Sequence, residues 1–280
     1  RELYLLARRR LGGAGVDSPG ADAAALAQRF LGLDRAGLAL HGEEAPPPQQ
    51  EAAFLQAVEE RAARRPLQYI LGEWEFMGLP LAVGEGVLCP REDTAVLVEE
   101  LARRLGERPR PRGLDLCAGT GAVALGLRTL LPQAEVLCLE LSDRAFPYLE
   151  ENLRRHGKGL AAARKGDVLS PALAGEFVPG SLDFIASNPP YIETGELPGL
   201  QPEVQREPAL ALDGGADGLV FYRAIVQLWA PLVKPGGLVA VETGESQGPA
   251  VARLFQQAGL TAVETAQDWA GLDRVVSGFR

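Results

Sequence analysis

The chain has little of what many catalytic chemistries are built from: in 280 residues there are two histidines, three cysteines and one methionine. His41 and His156 read as a loop residue and a helix-end residue, so no imidazole-centred acid–base site is expected. Cys89, Cys117 and Cys138 fall in apolar or strand contexts without metal-ligand spacing, and read as reduced core residues. No apolar run reaches the ~18 residues that a membrane helix needs. The sequence opens Arg1-Glu2-Leu3 without an apolar signal core, so a trimmed terminus and a cytoplasmic, non-exported protein are expected. Positive charge is lacking too. The formal net charge is −9, whereas an enzyme of duplex nucleic acid needs a basic surface to neutralise phosphates, so no direct nucleic-acid substrate is expected. Local basic clusters occur at Arg8-Arg9-Arg10, at Arg61 with Arg64-Arg65, and at Arg103-Arg104 with Arg108, Arg110 and Arg112. They read as solvated helix faces and linkers, with a partner's surface as the alternative.

What is present is a short stretch of unusual chemistry. The apolar run Leu182 to Ser187 reads as a buried parallel strand and leads directly into Asn188-Pro189-Pro190-Tyr191. Two successive prolines fix φ near about −65° and remove two backbone donors, so carbonyl oxygens and the Asn188 side chain can face a ligand as acceptors. Tyr191 adds a flat wall for stacking. Such a set suits a planar NH2 group, whose two N–H donors lie in one plane. Upstream, Gly113 to Gly121 (G-L-D-L-C-A-G-T-G) runs as strand and glycine turn into a helical stretch from Ala122 to Leu130. Gly119 and Gly121 let the backbone approach a ligand closely, and the helix start beyond them offers free N–H groups. About twenty positions further on, Glu140 ends a second strand, 134–140, where a carboxylate can accept both ribose hydroxyls of a nucleotide-like ligand. Gly166-Asp167-Val168 ends a third short strand; Asp167 suits an adenine amino group and Val168 the ring face.

Together these residues resemble the class I S-adenosylmethionine-dependent methyltransferases, and within them the family that methylates the glutamine of the Gly-Gly-Gln loop in peptide-chain release factors. The resemblance runs from Pro66-Leu67-Gln68-Tyr69-Ile70-Leu71-Gly72-Glu73-Trp74-Glu75-Phe76 through Cys89-Pro90-Arg91-Glu92-Asp93-Thr94, the glycine turn and N-P-P-Y. It continues through Glu207 to Leu219 and ends in Ala270-Gly271-Leu272-Asp273-Arg274-Val275-Val276. N-P-P-Y alone is shared with adenine and guanine amino-methyltransferases, whereas the P-L-Q-Y-I-L-G block is more restrictive. The resemblance implies Asn188, Pro189 and Tyr191 as catalytic residues and Asn188 to Tyr191 as the substrate site. It implies a cofactor site of Asp115, Cys117, Ala118, Gly119, Thr120, Gly121, Glu140, Leu141, Asp167, Val168 and Asn188, taking S-adenosylmethionine and releasing S-adenosylhomocysteine. The sequence departs from the family pattern at Glu92 and Ala95, where a proline and a glutamate are usual, and at Val168, where an aromatic is common.

The expected fold is α/β: a doubly wound, mostly parallel, seven-stranded Rossmann-like methyltransferase sheet with its last strand antiparallel, preceded by a small helical bundle. Residues 1–70 carry helical runs at Leu3 to Leu11, Asp22 to Leu31 and Gln49 to Arg64; 71–92 read as a β-hairpin linker and 93–280 as the methyltransferase domain. Later strands are expected near Leu238 to Glu242, Leu260 to Thr265 and Val275 to Phe279. The expected partners are class I release factors, met by a monomer, and methyl transfer to the glutamine amide is the expected reaction. The alternatives are an N6-adenine type amino-methyltransferase of DNA or RNA, and a cofactor-binding module without turnover.

Overall fold

Alanine- and leucine-rich runs broken by Gly and Pro give five helices at the start of the chain: α1 Glu2–Gly13, α2 Pro19–Leu31, α3 Arg35–Leu40, α4 Pro48–Ala62 and α5 Leu67–Leu71. Prolines sit in the first turns of α2 and α4, where the missing N–H has no helical partner to lose. Asp34 caps α3 by accepting from Gly37 N at 2.7 Å. Gly32 and Gly72 end α2 and α5 in the left-handed region, at φ 70° and 75°. The helices α1, α2 and α4 meet over a core of Ala7, Leu11, Ala23, Leu26, Ala27, Phe54, Ala57 and Val58.

The structure, a computed structural model, describes residues 1–280. It divides into two compact units: Arg1–Glu73 together with Gln201–Arg206, and Trp74–Leu200 together with Glu207–Arg280. The helical unit is therefore completed by six residues from late in the chain. Arg61 of α4 is buried and bonds Asp22 of α2 at 2.7 Å and Glu203 of that late segment at 2.8 Å. Arg64 also meets Glu203 at 2.7 Å, and Arg206 donates to the Ala63 carbonyl at 2.6 Å. This corrects the reading of the cluster as a solvated face. Arg61 is an internal cation, because a buried guanidinium is tolerable where carboxylates satisfy it.

The second unit begins within β1, Glu73–Phe76, which pairs with β2 Leu79–Ala82 as a two-stranded hairpin, followed by α6 Thr94–Leu105. Then come β3 Arg112–Leu116, α7 Ala122–Leu130, β4 Glu135–Glu140, α8 Phe146–His156, β5 Ala161–Lys165, α9 Pro171–Ala174 and β6 Leu182–Ser187. The chain finishes with α10 Val220–Ala224, which runs on as a π-turn through Ile225–Trp229, then β7 Val233–Glu242, α11 Gly248–Gln257, β8 Thr261–Gln267 and β9 Asp273–Phe279. The seven strands pair in the order β5-β4-β3-β6-β7-β9-β8, with β9 antiparallel to both neighbours. The expected fold class is present, including the antiparallel last strand.

Strands buried on both faces read as continuous apolar runs, and alternate residues feed two cores. Val136, Cys138, Phe184, Ala186, Leu238 and Ala240 pack with α6, α7 and α8; Leu114, Leu116, Leu139, Ile185, Val239 and Val241 pack with α10, the π-turn and α11. Of the second unit's arginine cluster only Arg104 is turned inward; Arg103, Arg110 and Arg112 stay exposed and pair at the surface, as a solvated face does. Arg104 donates to the buried Ser277 Oγ at 2.8 Å, Arg103 grips Glu100 at 2.8 Å, and Arg110 meets Glu135 at 2.7 Å.

Arg61→Ala is expected to lower the stability of the helical unit by about 3 to 5 kcal/mol, since it strands buried carboxylates. Denaturant unfolding of the full-length protein measures this, and an unchanged midpoint refutes the internal role of Arg61.

Candidate active site

Strand order reverses between β3 and β6: from β3 the chain winds outward through β4 and β5, and from β6 it winds the other way through β7. A doubly wound sheet opens a crevice at the carboxyl ends of the strands flanking such a switch. Register fixes what stands there. Leu116 pairs with Leu139 on one side and Ser187 on the other, and Ser187 pairs with Val241. The next residues along, Cys117, Glu140, Asn188 and Glu242, therefore emerge at one level. The Ser187 hydroxyl donates to the Leu116 carbonyl at 2.7 Å and ties β6 to β3 at that point.

A cleft of about 910 Å³, counted with its open mouth, lies over these ends. Of the residues singled out from the sequence, Cys117, Ala118, Gly119, Thr120, Glu140, Leu141, Asp167, Val168, Asn188 and Pro190 line it. Asp115, Gly121, Pro189 and Tyr191 do not. Asp115, Gly121 and Tyr191 each have another task. Asp115 is buried in β3 and accepts the Ala124 N–H at 3.1 Å, satisfying an open donor of the first turn of α7. Gly121 is the residue before α7, at φ 81°, where a Cβ would stand 2.9 Å from Leu149. Pro189 is buried. Tyr191 packs against the core on the α10–α11 side, and its carbonyl is held by Gln247 Nε2 at 2.8 Å.

The glycine turn is held open by backbone strain and by one carboxylate. Cys117 and Gly119 both take positive φ, 60° and 54°. Glu140 accepts Gly119 N with Oε2 at 2.8 Å and Ser142 N with Oε1 at 2.6 Å, so it fixes two loops while lining the cleft. Asp167 accepts Leu169 N at 2.8 Å, and the Val168 carbonyl accepts the buried Trp229 indole N–H at 2.8 Å. Burial pushes the Cys117 thiol well above its ordinary range, so it is a wall residue and not a nucleophile.

Several residues of the site were not named from the sequence. Thr94, the first residue of α6, lines the cleft, and its Oγ1 accepts from Asn188 Nδ2 at 3.2 Å. Glu207 is buried; it accepts Cys89 N at 2.9 Å and pairs with Arg91, holding the wall Cys89-Pro90-Arg91. Asn152 of α8 donates to the carbonyls of Ala82 and Thr120, both at 3.0 Å, and so links the hairpin to the glycine turn. Thr94 and Glu207 lie within the stretches that carry the family resemblance, where nothing marks them apart from their neighbours, and Asn152 lies in none.

This fold, with a glycine turn after the first sheet strand, an acidic end to the second and N-P-P-Y at the switch point, defines a class I methyltransferase. Residues 2–72 match the family described as PrmC N-terminal domain, and residues 90–201 match the methyltransferase small domain. The chain is 42% identical over 265 residues to a release factor glutamine methyltransferase of Geobacter sulfurreducens, covering 94% of this chain and 90% of that protein. It is 42% identical over 277 residues to the one of Moorella thermoacetica, covering 97% and 95%. A solved structure, the hMettl16 catalytic domain in complex with MAT2A 3'UTR hairpin 6, shares the fold at TM-score 0.59 and 15% identity, covering 86% of this chain and 85% of that one. The chain belongs to the release factor glutamine methyltransferase family.

Burial raises the Asp115 carboxyl from 3.8 to about 7, against the Ala124 N–H that stabilises its charge and with Glu140 adding repulsion. An acid whose pKa is raised on folding contributes stability that is present below its unfolded value and lost as pH rises through the folded one. Asp115→Asn keeps an acceptor for Ala124 and removes this titration. Thermal midpoints followed from pH 4 to 8 are expected to fall less with rising pH in the variant than in the parent; parallel curves refute the assignment.

Proposed function

We propose that the protein transfers a methyl group from S-adenosylmethionine to the side-chain amide nitrogen, N5, of the glutamine in the Gly-Gly-Gln loop of class I peptide-chain release factors, acting as a cytoplasmic monomer. The observation that supports this most is that Asn188 opens into the same cleft as the glycine turn, Glu140 and Asp167. Family membership supplies the substrate class. Residues 1–70 are assigned to recognition of the release factor, 71–92 to a linker and 93–280 to catalysis.

The cleft fits S-adenosylmethionine by the chemistry of its donors and walls. Val87, Leu139, Leu141, Val168 and Phe221 make it largely apolar, and Arg91 is the lone cation lining it, so it is not built for a pyrophosphate. Glu140 keeps lone pairs beyond its two backbone partners for a ribose diol, Asp167 suits the adenine amino group, and the Gly119 backbone lets the ligand come close. When bound, the cofactor supplies an electrophilic sulfonium methyl carbon.

An amide nitrogen is a poor nucleophile because its lone pair is delocalised into the carbonyl. Asn188 Oδ1 and the Pro189 carbonyl accept its two hydrogens, which orients the nitrogen and favours the positive charge that grows on it during transfer. Tyr191 buttresses the turn that presents them. The nitrogen becomes strongly acidic as it is alkylated, so its proton departs to solvent afterwards and no strong base is required. The apolar walls exclude water from the reacting atoms.

Asn188→Ala is expected to lower turnover about a hundredfold, the scale of deleting one preorganised polar group, while cofactor affinity survives. Turnover equal to the parent's sinks the mechanism. Methyl transfer from labelled S-adenosylmethionine, run beside a release factor lacking the loop glutamine and beside DNA, tests the substrate. Label in the intact factor alone supports the reading, and label in DNA with none in the factor overturns it.

A further inference from the structure

Glu242 ends β7 beside the catalytic turn and has no part in the reaction as described so far. Its carboxyl is buried, at 2% exposure, and Oε2 has no hydrogen-bond partner. A carboxylate placed so in a core is strongly disfavoured unless something compensates it. Register explains its position. Ser187 pairs with Val241, so Asn188 and Glu242 leave adjacent strands together. Thr94, at the start of α6, completes the group by accepting from Asn188 Nδ2 at 3.2 Å.

We propose that Glu242 is a positioning residue that fixes which end of the Asn188 amide faces the substrate, acting through the Thr94 hydroxyl. A hydroxyl can accept from an amide N–H or donate to an amide oxygen, so Thr94 by itself leaves Asn188 free to turn either way. An ionised carboxylate only accepts. On this proposal it takes the single hydroxyl hydrogen of Thr94, the side chain whose hydrogen bonding most lowers the Glu242 pKa, and the hydroxyl oxygen is left to accept from Asn188 Nδ2. Asn188 Oδ1 is thereby committed to the substrate's N–H. A protonated Glu242 can donate to Thr94 instead, which reverses the chain and releases the amide. This role rests on Asn188 being the substrate's acceptor.

Burial raises the Glu242 pKa from 4.5 to about 7, opposed by hydrogen bonding from Thr94 and, less strongly, from Asn188. Asp93, just before α6, raises it and Arg274 on β9 lowers it. Arg274 is itself shared with Asp93 at 3.4 Å and Asp268 at 2.8 Å. The phenols of Tyr191 and Tyr222 feel the same carboxyl, and burial holds both well above their ordinary range, so they stay neutral where Glu242 titrates. The ordered, ionised state of the chain therefore fills as pH rises through about 7.

The test is Glu242→Gln in the full-length enzyme, with kcat, KM for the release factor and the dissociation constant of S-adenosylmethionine followed from pH 5.5 to 9. The parent's kcat is expected to fall on the acid side through about 7. The variant is expected to lose that limb and to turn over roughly ten to a hundredfold more slowly at pH 8, the cost of a misplaced reacting geometry. Its cofactor affinity should equal the parent's. If the variant fails to fold, Thr94→Val removes the same link and is expected to give the same loss. A variant that keeps the parent's kcat and acid limb overturns the proposal, as does a loss of kcat matched by a loss of cofactor affinity. The proposed function fails separately, if the parent labels no release factor; the same profiles are then read on whichever amine the parent does methylate.

Discussion

Strands β3, β6 and β7 end level because they are parallel and in register, and the site depends on that alignment. The glycine turn and the Asn188-Pro189-Pro190 turn each begin one residue past a buried, hydrogen-bonded strand, and Glu242 closes β7 at the same level. The Ser187 hydroxyl on the Leu116 carbonyl secures the seam at which the chain reverses its winding. A slip of one residue along β6 would exchange the residues feeding the two cores, so packing on both faces of the sheet enforces the catalytic alignment. Precision at the switch point is thus a by-product of core burial and needs no dedicated scaffold.

On that seam, carboxylates do most of the local work, and each does it differently. Asp115 caps the first turn of α7 from beneath the loop. Glu140 joins two loops and keeps capacity for a ligand. Glu207 holds the opposite wall through Cys89 N and Arg91. The net charge of −9 is partly a record of this use of acids as internal struts. Two of the arginines that looked like surface clusters are their counterparts: Arg61 and Arg104 are turned inward.

What could be read in the sequence was whatever is contiguous. The helix Ala122–Leu130 and the strand Leu182–Ser187 are where the pattern put them, because a glycine turn and a proline pair mark their ends. The seven strands, and the antiparallel last one, followed from alternation of elements together with the family resemblance. What could not be read was assembled from distant pieces. Thr94 reaches Asn188 across 94 positions and Glu207 reaches Cys89 across 118. The short helix α5 in the P-L-Q-Y-I-L-G block escaped notice because five residues carry too little periodicity to stand out. Tyr191 looked like a wall of the cleft because an aromatic follows the prolines; its ring instead joins the core, and the cleft takes its apolar surface from Val87, Leu139 and Phe221.

The helical unit is written in two places in the chain, residues 1–73 and 201–206, and the second piece supplies Glu203 to Arg61 and Arg64. It is therefore not a cassette at the front of the gene. A swap of this unit between relatives that exchanges only the first seventy-odd residues would import arginines without the glutamate that neutralises them. Arg61, Arg64 and Glu203 of this chain thus act together across the catalytic sequence that lies between them, and a graft of its helical unit has to carry both pieces.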